Sequence, residues 1–198
     1  MIKVIGLTGS IAVGKSTVTR YLREHGFEVV DADEISRHAL DIGKECYNKV
    51  VERFGCVKED GGIDRQRLGQ LVFSDPLKKK QLEDIIHPYV CQKIKEEIQA
   101  SQEQYIFLDV PLLYEAGLDA LCDSVIVVDL PLEKQIERLM ERNHIEKQAA
   151  LHLIQQQMSS EEKRKKADYI IDNSCDLHEL YKNIDNVLKE VCYEVVHE

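Results

Sequence analysis

Gly9-Ser10-Ile11-Ala12-Val13-Gly14-Lys15-Ser16-Thr17 matches the phosphate-binding pattern G-x-x-x-x-G-K-[ST] in full. Its flanks suit the motif. Lys3-Val4-Ile5-Gly6-Leu7 is apolar and rich in β-branched residues, the composition of a buried parallel strand. Val18, Tyr21 and Leu22 then share one helical face. Strand, glycine loop and helix predict a cradle in which Gly9 and Gly14 let the backbone turn and leave room for phosphate oxygens. The amides of Ala12, Val13, Gly14, Lys15, Ser16 and Thr17 are expected to face inward at the positive end of a helix. Lys15 is expected to reach the β- and γ-phosphates, and the Ser16 hydroxyl to ligate Mg²⁺. The competing account is a tight strand-to-helix turn with a solvated lysine.

At 198 residues and 43% hydrophobic, the chain is long enough for one sizeable core and short for two. The expectation is a single domain with insertions. A formal charge of −10 argues against nucleic acid as a general partner, so a phosphate site must be built from local basic groups. The six cysteines are scattered without C-x-x-C pairs, which reads as reduced thiols in a cytoplasmic protein. No signal peptide is expected before the loop, because the short apolar run leads straight into it, and no apolar run approaches the roughly 18 residues of a membrane span.

Working outward, Phe27-Glu28-Val29-Val30-Asp31 reads as a second strand ending in Asp31-Ala32-Asp33. Asp33 stands where open α/β sheets place their ligands, and two roles are open to it. It can accept the proton of an attacking hydroxyl, or cap a helix beginning at Glu34. From Glu34 to Glu103 strand signals nearly vanish and helical patterns dominate, with a break or kink expected at His87-Pro88. This stretch reads as a helical insertion, either an acceptor site or a structural lid.

The α/β pattern returns with Tyr105-Ile106-Phe107-Leu108-Asp109, an apolar strand whose terminal Asp109 is placed to hold Mg²⁺ or simply to end the strand. Pro111 to Glu115 follows as a loop at the same edge, and Asp123 to Asp129 as another buried strand. Pro131 starts a helix in which Gln135, Arg138 and Arg142 share a stripe beside Lys134. The basic row suits either an anionic partner or a solvated face. Ile145 to Met158 predicts a further helix. The charged run Ser159 to Lys166 reads as a solvated helical face that can also serve as a basic lid. Ala167 to Asn173 is the last strand, and Leu177 to Val191 a closing helix.

Taken in order, these segments resemble the dephospho-CoA kinase family over almost the whole chain. The resemblance rests on the loop 9–17, Asp31-Ala32-Asp33 with Ile35, and Asp64-Arg65, Leu68, Phe73, Leu82-Glu83 and His87-Pro88. It continues in Asp109-Val110-Pro111-Leu112-Leu113-Tyr114-Glu115, in Gln135 with Arg138-Leu139 and Arg142, and in Gln157, Glu162-Lys163, Ala167-Asp168 and Ile171-Asp172-Asn173. It departs at Ser10, Ala12 and Val13, where the family loop is richer in glycine, and at Leu153, where arginine is frequent.

The resemblance implies an α/β P-loop fold with a parallel sheet, a helical insertion and a helical lid. The expected division is a core of 1–33, 104–142 and 168–198, an acceptor-binding insertion of 34–103 and a lid of 143–167. It implies ATP-dependent phosphorylation of the ribose 3′-hydroxyl of dephospho-CoA, with ATP and Mg²⁺ required. Asp33 would be the general base, Lys15 would hold the phosphates, and Ser16 and Asp109 would hold the metal. Arg142, with Arg138, would neutralise the transferring group or pack on adenine. Arg65, His87, Leu112 and Leu113 would line the acceptor site, His87 being equally readable as a core histidine. A monomer or weak homo-oligomer is expected, without nucleic acid or membrane. A nucleoside or nucleoside-monophosphate kinase is the nearest rival, and a nucleotide-dependent switch a second, although no N-K-x-D guanine motif is present.

Overall fold

The computed structural model describes residues 2–193, so the last five residues of the predicted core segment 168–198 lie outside the description. The chain forms two compact units, one of residues up to Val30 and from Ser101 onward, the other Asp31–Ala100.

The first unit is built on a five-stranded sheet. Its strands are β1 (Lys3–Gly9), β2 (Glu28–Asp31), β3 (Tyr105–Asp109), β4 (Ser124–Asp129) and β5 (Tyr169–Asp172), in the order β2-β3-β1-β4-β5. β3, β1, β4 and β5 pair in parallel, with Leu7 beside both Asp109 and Ile126. The central position of β1 explains its unbroken apolar run, since both faces are covered and Ile5 and Leu7 are fully buried. The helices α1 (Lys15–Glu24) and α9 (Leu177–Tyr193) bring Val18, Leu22, Leu180 and Ile184 into one core with Ile5, Leu7, Phe107, Ile126 and Ile171. Three further helices, α6 (Leu132–Asn143), α7 (Lys147–Gln155) and α8 (Ser160–Lys166), connect β4 to β5. A 3₁₀ turn at Leu118–Leu121, without a clear signal in the sequence, leads into β4.

The second unit holds α2 (Ala32–His38), α3 (Glu45–Phe54), α4 (Arg65–Phe73) and α5 (Pro76–Ala100). The shorter helices α2, α3 and α4 pack on α5. The link from α3 to α4 is closed by an antiparallel bridge between Val57 and Ile63. Of the kink or break expected at Pro88, the break does not occur, because α5 runs through it as one helix. Pro88 removes the amide that would bond the Asp84 carbonyl, but both residues are exposed and water can replace that donor.

Candidate active site

The loop that follows β1 is shaped by two residues in left-handed backbone. Gly14 caps α1 at φ 88°, and a side chain there would also lie 2.2 Å from Asn173 Nδ2. Ala12 takes φ 63°. Gly9 is required for space instead, since a Cβ would come within 2.8 Å of the Val128 carbonyl and of Val13. Two amides of the expected cradle are engaged within the loop: Val13 N–H donates to Ser10 O at 3.4 Å and Thr17 N–H to Gly14 O at 3.0 Å. The Val13 side chain is buried in the core, so only its backbone is available to a ligand.

Residues far along the chain hold this loop. Gln157 Oε1 accepts from Ile11 N–H at 2.9 Å, and Gln135 Nε2 donates to Ile11 O at 2.5 Å. Asn173 Nδ2 donates to Val13 O at 2.7 Å, and Arg138 Nη2 donates to Asn173 O at 3.3 Å. Arg138 thereby comes to the start of α1. Arg142, one turn further on, is exposed and donates to Asn143 Oδ1 at 3.1 Å. A cavity of about 740 Å³, lined in part by Pro131, Gln135, Ile154, Gln157 and Arg164, flanks this side of the loop.

At the carboxyl end of β3, Asp109 is buried and forms an ion pair with Lys15. The Thr19 hydroxyl donates to its other oxygen. Ser16 is exposed at the start of α1. These hydroxyl and carboxylate oxygens are hard donors of the kind Mg²⁺ accepts. No cluster of three or more His, Cys, Asp or Glu side chains suited to a metal exists among the described residues. That donor set fits Mg²⁺, which usually takes one or two protein ligands and completes its shell with water and phosphate oxygens.

The loop after β3 is tied down as well. The Pro111 carbonyl accepts from Thr8 Oγ1 at 3.0 Å and from Lys163 Nζ at 3.1 Å. Glu115 Oε1 accepts from Met158 N–H at 3.0 Å and lies 3.1 Å from Lys163 Nζ. Lys163 is therefore fully buried, an exception to the solvated face that its neighbours Glu161, Glu162, Arg164, Lys165 and Lys166 form as expected. Burial, reinforced by Asp168, pushes the Tyr114 hydroxyl up to about 12. Leu113 is fully buried, and a Cβ on Gly6 would lie 2.8 Å from it. It fills the core above β1, so its assignment to the acceptor site is corrected. Leu112, 43% exposed, remains accessible.

In the second unit, Asp31 is the cap of α2, its Oδ1 accepting from Asp33 N–H at 2.9 Å and Glu34 N–H at 3.0 Å. The alternative that Asp33 caps this helix is thereby corrected, because Asp33 lies within the first turn. Arg65 Nη2 donates to Arg37 O at 2.8 Å and lies 3.4 Å from Asp41 Oδ1. The hydrogen bond from His38 holds the Asp41 carboxyl below its ordinary range, with Arg65 contributing. His87 is exposed on α5, which corrects the core-histidine alternative.

Gln157 and Asn173 were legible only as parts of the family pattern. Their bonds to Ile11 and Val13 span 146 and 160 residues, beyond any local signal.

A family model described as Dephospho-CoA kinase matches residues 3–179. A dephospho-CoA kinase of Bacillus licheniformis is 45% identical over 201 residues, covering 96% of this chain and all of that one. The structure of a dephospho-CoA kinase from Campylobacter jejuni superposes with a TM-score of 0.76 at 32% identity, covering 98% of this chain and 99% of that one. The shikimate kinase of Acinetobacter baumannii, at 15% identity and a TM-score of 0.57 over 99% of this chain and 96% of that one, shares the fold alone. With the family model spanning both the glycine loop and the Asp109 loop, the chain belongs to the dephospho-CoA kinase family.

Proposed function

We propose that the chain transfers the γ-phosphoryl group of ATP to the ribose 3′-hydroxyl of dephospho-CoA, releasing ADP and CoA in the cytoplasm. The observation that carries this reading is the glycine loop, with Gly14 in left-handed backbone, Lys15 paired to Asp109 and Arg138 alongside. The loop amides and the Lys15 ammonium would hold the β- and γ-phosphates at the positive end of α1. Arg138, supported by Arg142, would offset charge on the transferring group. Ser16 and Asp109 would hold Mg²⁺, which when bound neutralises phosphate charge. The 3′-oxygen bonds to the γ-phosphorus as the β–γ bridging bond breaks, and the hydroxyl proton passes to the Asp33 carboxylate. Most of the rate would come from positioning and electrostatics.

Residues 34–103, with Arg65, His87 and the exposed Leu112, are the acceptor-site candidates. The lid would be confined to 143–156, because Lys163 anchors the segment that follows.

The test is ADP release from Mg-ATP with dephospho-CoA, beside a panel of nucleosides and nucleoside monophosphates. ADP formation that requires dephospho-CoA, with CoA as the second product, supports the assignment. Turnover only with a nucleoside or monophosphate overturns the acceptor, and hydrolysis indifferent to any acceptor overturns the transferase reading.

A further inference from the structure

Gln135 is buried completely, yet its Oε1 has no hydrogen-bond partner among the described residues. A half-satisfied buried amide is a cost to folding, so its remaining bond calls for an explanation. That bond goes to Ile11 O, while Gln157 takes Ile11 N–H. The Ile11–Ala12 peptide is planar and trans, so fixing the direction of Ile11 C=O also fixes the opposite direction of Ala12 N–H. This is the peptide that precedes Ala12 at φ 63°, a conformation that disfavours any residue with a Cβ. Gln135 on α6 and Gln157 between α7 and α8 thus grip both polar groups of one residue, immediately before the strained one. Ser10 Oγ, 3.2 Å from Ser160 Oγ, adds a third tie from the same segment as Gln157.

We propose that Gln135 and Gln157 are positioning residues that hold Ala12 in left-handed backbone and so keep the phosphate cradle formed in a loop lacking glycine at this position. Neither touches the reacting atoms. This inference rests on the reading of the loop as the ATP site. Released from the two glutamines, Ala12 relaxes to right-handed or extended backbone and its amide turns away. A glycine at the same position populates left-handed backbone without steric cost and needs no such grip.

The experiment is a double-mutant comparison of Q135M and Q157L, each alone and with A12G, in the full chain. Mg-ATP binding by calorimetry and steady-state kinetics with dephospho-CoA are measured for each. Gln157 is only partly buried, so Q157L keeps the test available if Q135M fails to fold, which thermal unfolding reports. Each glutamine variant is expected to weaken ATP binding about tenfold and raise its KM alike, with kcat at saturation changed less than about threefold. Combined with A12G, the loss is expected to shrink below about threefold. A loss equally large or larger with A12G, or no loss in either single variant, overturns the proposal. A wild-type chain that does not bind Mg-ATP overturns the ATP-site reading itself, and the positioning role with it.

Discussion

At residue 12 two opposing terms act on one methyl group. Left-handed backbone costs an L-residue roughly 1–2 kcal/mol. Replacing alanine by glycine ordinarily costs about 0.5–1 kcal/mol in chain entropy. The Ala12 methyl also packs, half-buried, against the small cluster of Ile136, Leu139 and Ala150. These terms nearly cancel, so A12G is expected to change stability by less than about 0.5 kcal/mol in urea unfolding. A loss above about 1 kcal/mol would mean that the backbone at Ala12 is unstrained. Asp33 stands differently. Asp31 does the capping, Asp33 lies in the first turn of α2, and its proposed role as proton acceptor is open to a direct test. D33N is expected to reduce turnover by about 100-fold or more while leaving ATP affinity within about twofold. Unchanged turnover would remove the general-base role. The motif residues Gly14, Lys15 and Ser16 were legible because spacing along the chain carries their chemistry. The residues that hold Ile11 and Val13 were legible only as members of the family pattern, and their task was not, because it is a contact made only after folding.

Among the elements, α8 follows its sequence pattern except at one residue, Lys163. Its composition is that of a solvated helix, with serines and glutamates first and lysines last, and the Ser159–Glu162 capping box forms as that order requires. The hydrogen bonds from Ser159 hold the Glu162 carboxyl below its usual range. Charge alone does not tell which lysine turns inward. Lys163 does so because the Pro111 carbonyl and Glu115 meet its ammonium. Removing that ammonium strands Glu115, although its 24% exposure lets water soften the penalty. K163M is expected to cost about 2 kcal/mol in urea unfolding, below the range for a fully buried pair. Adding E115Q is expected to recover about half, and additive losses in that cycle would mean the two side chains are not coupled. The helix α5 teaches the converse lesson. Proline is a strong local signal for a break, but Pro88 lies on an exposed face, where the lost hydrogen bond is cheap. Leu113 likewise belongs to a conspicuous loop pattern, yet the space left by Gly6 draws it into the core.

For the whole molecule, strand periodicity placed all five strands, since each is short, apolar and ends in a turn or an aspartate. Strand order was not legible, because it is decided by crossovers that leave no local mark. Helical periodicity likewise placed α9 on the sheet, and its packing against α1 creates a pH dependence. The Tyr21 hydroxyl donates to Asp185 Oδ1 at 2.6 Å, and that bond, with burial and the carboxylate charge, raises it to about 12. Burial raises Tyr114 and the Cys122 thiol to about 12 as well. An unfolded chain would release these protons near pH 10 for tyrosine and about 8.5 for cysteine. Raised folded values mean that the stabilisation is complete below the unfolded values and is lost as pH climbs toward 12. The thermal midpoint is therefore expected to fall steadily as pH rises from about 8.5 through 12, while phenolate absorbance of the folded chain reports some tyrosines ionising late. Y21F isolates one contribution. It loses the bond to Asp185 at neutral pH, so it starts less stable than wild type, and the gap is expected to close as pH approaches 12. A gap that stays constant across that range would mean that the Tyr21 hydroxyl ionises alike in the folded and unfolded chain, and that Asp185 does not hold its proton.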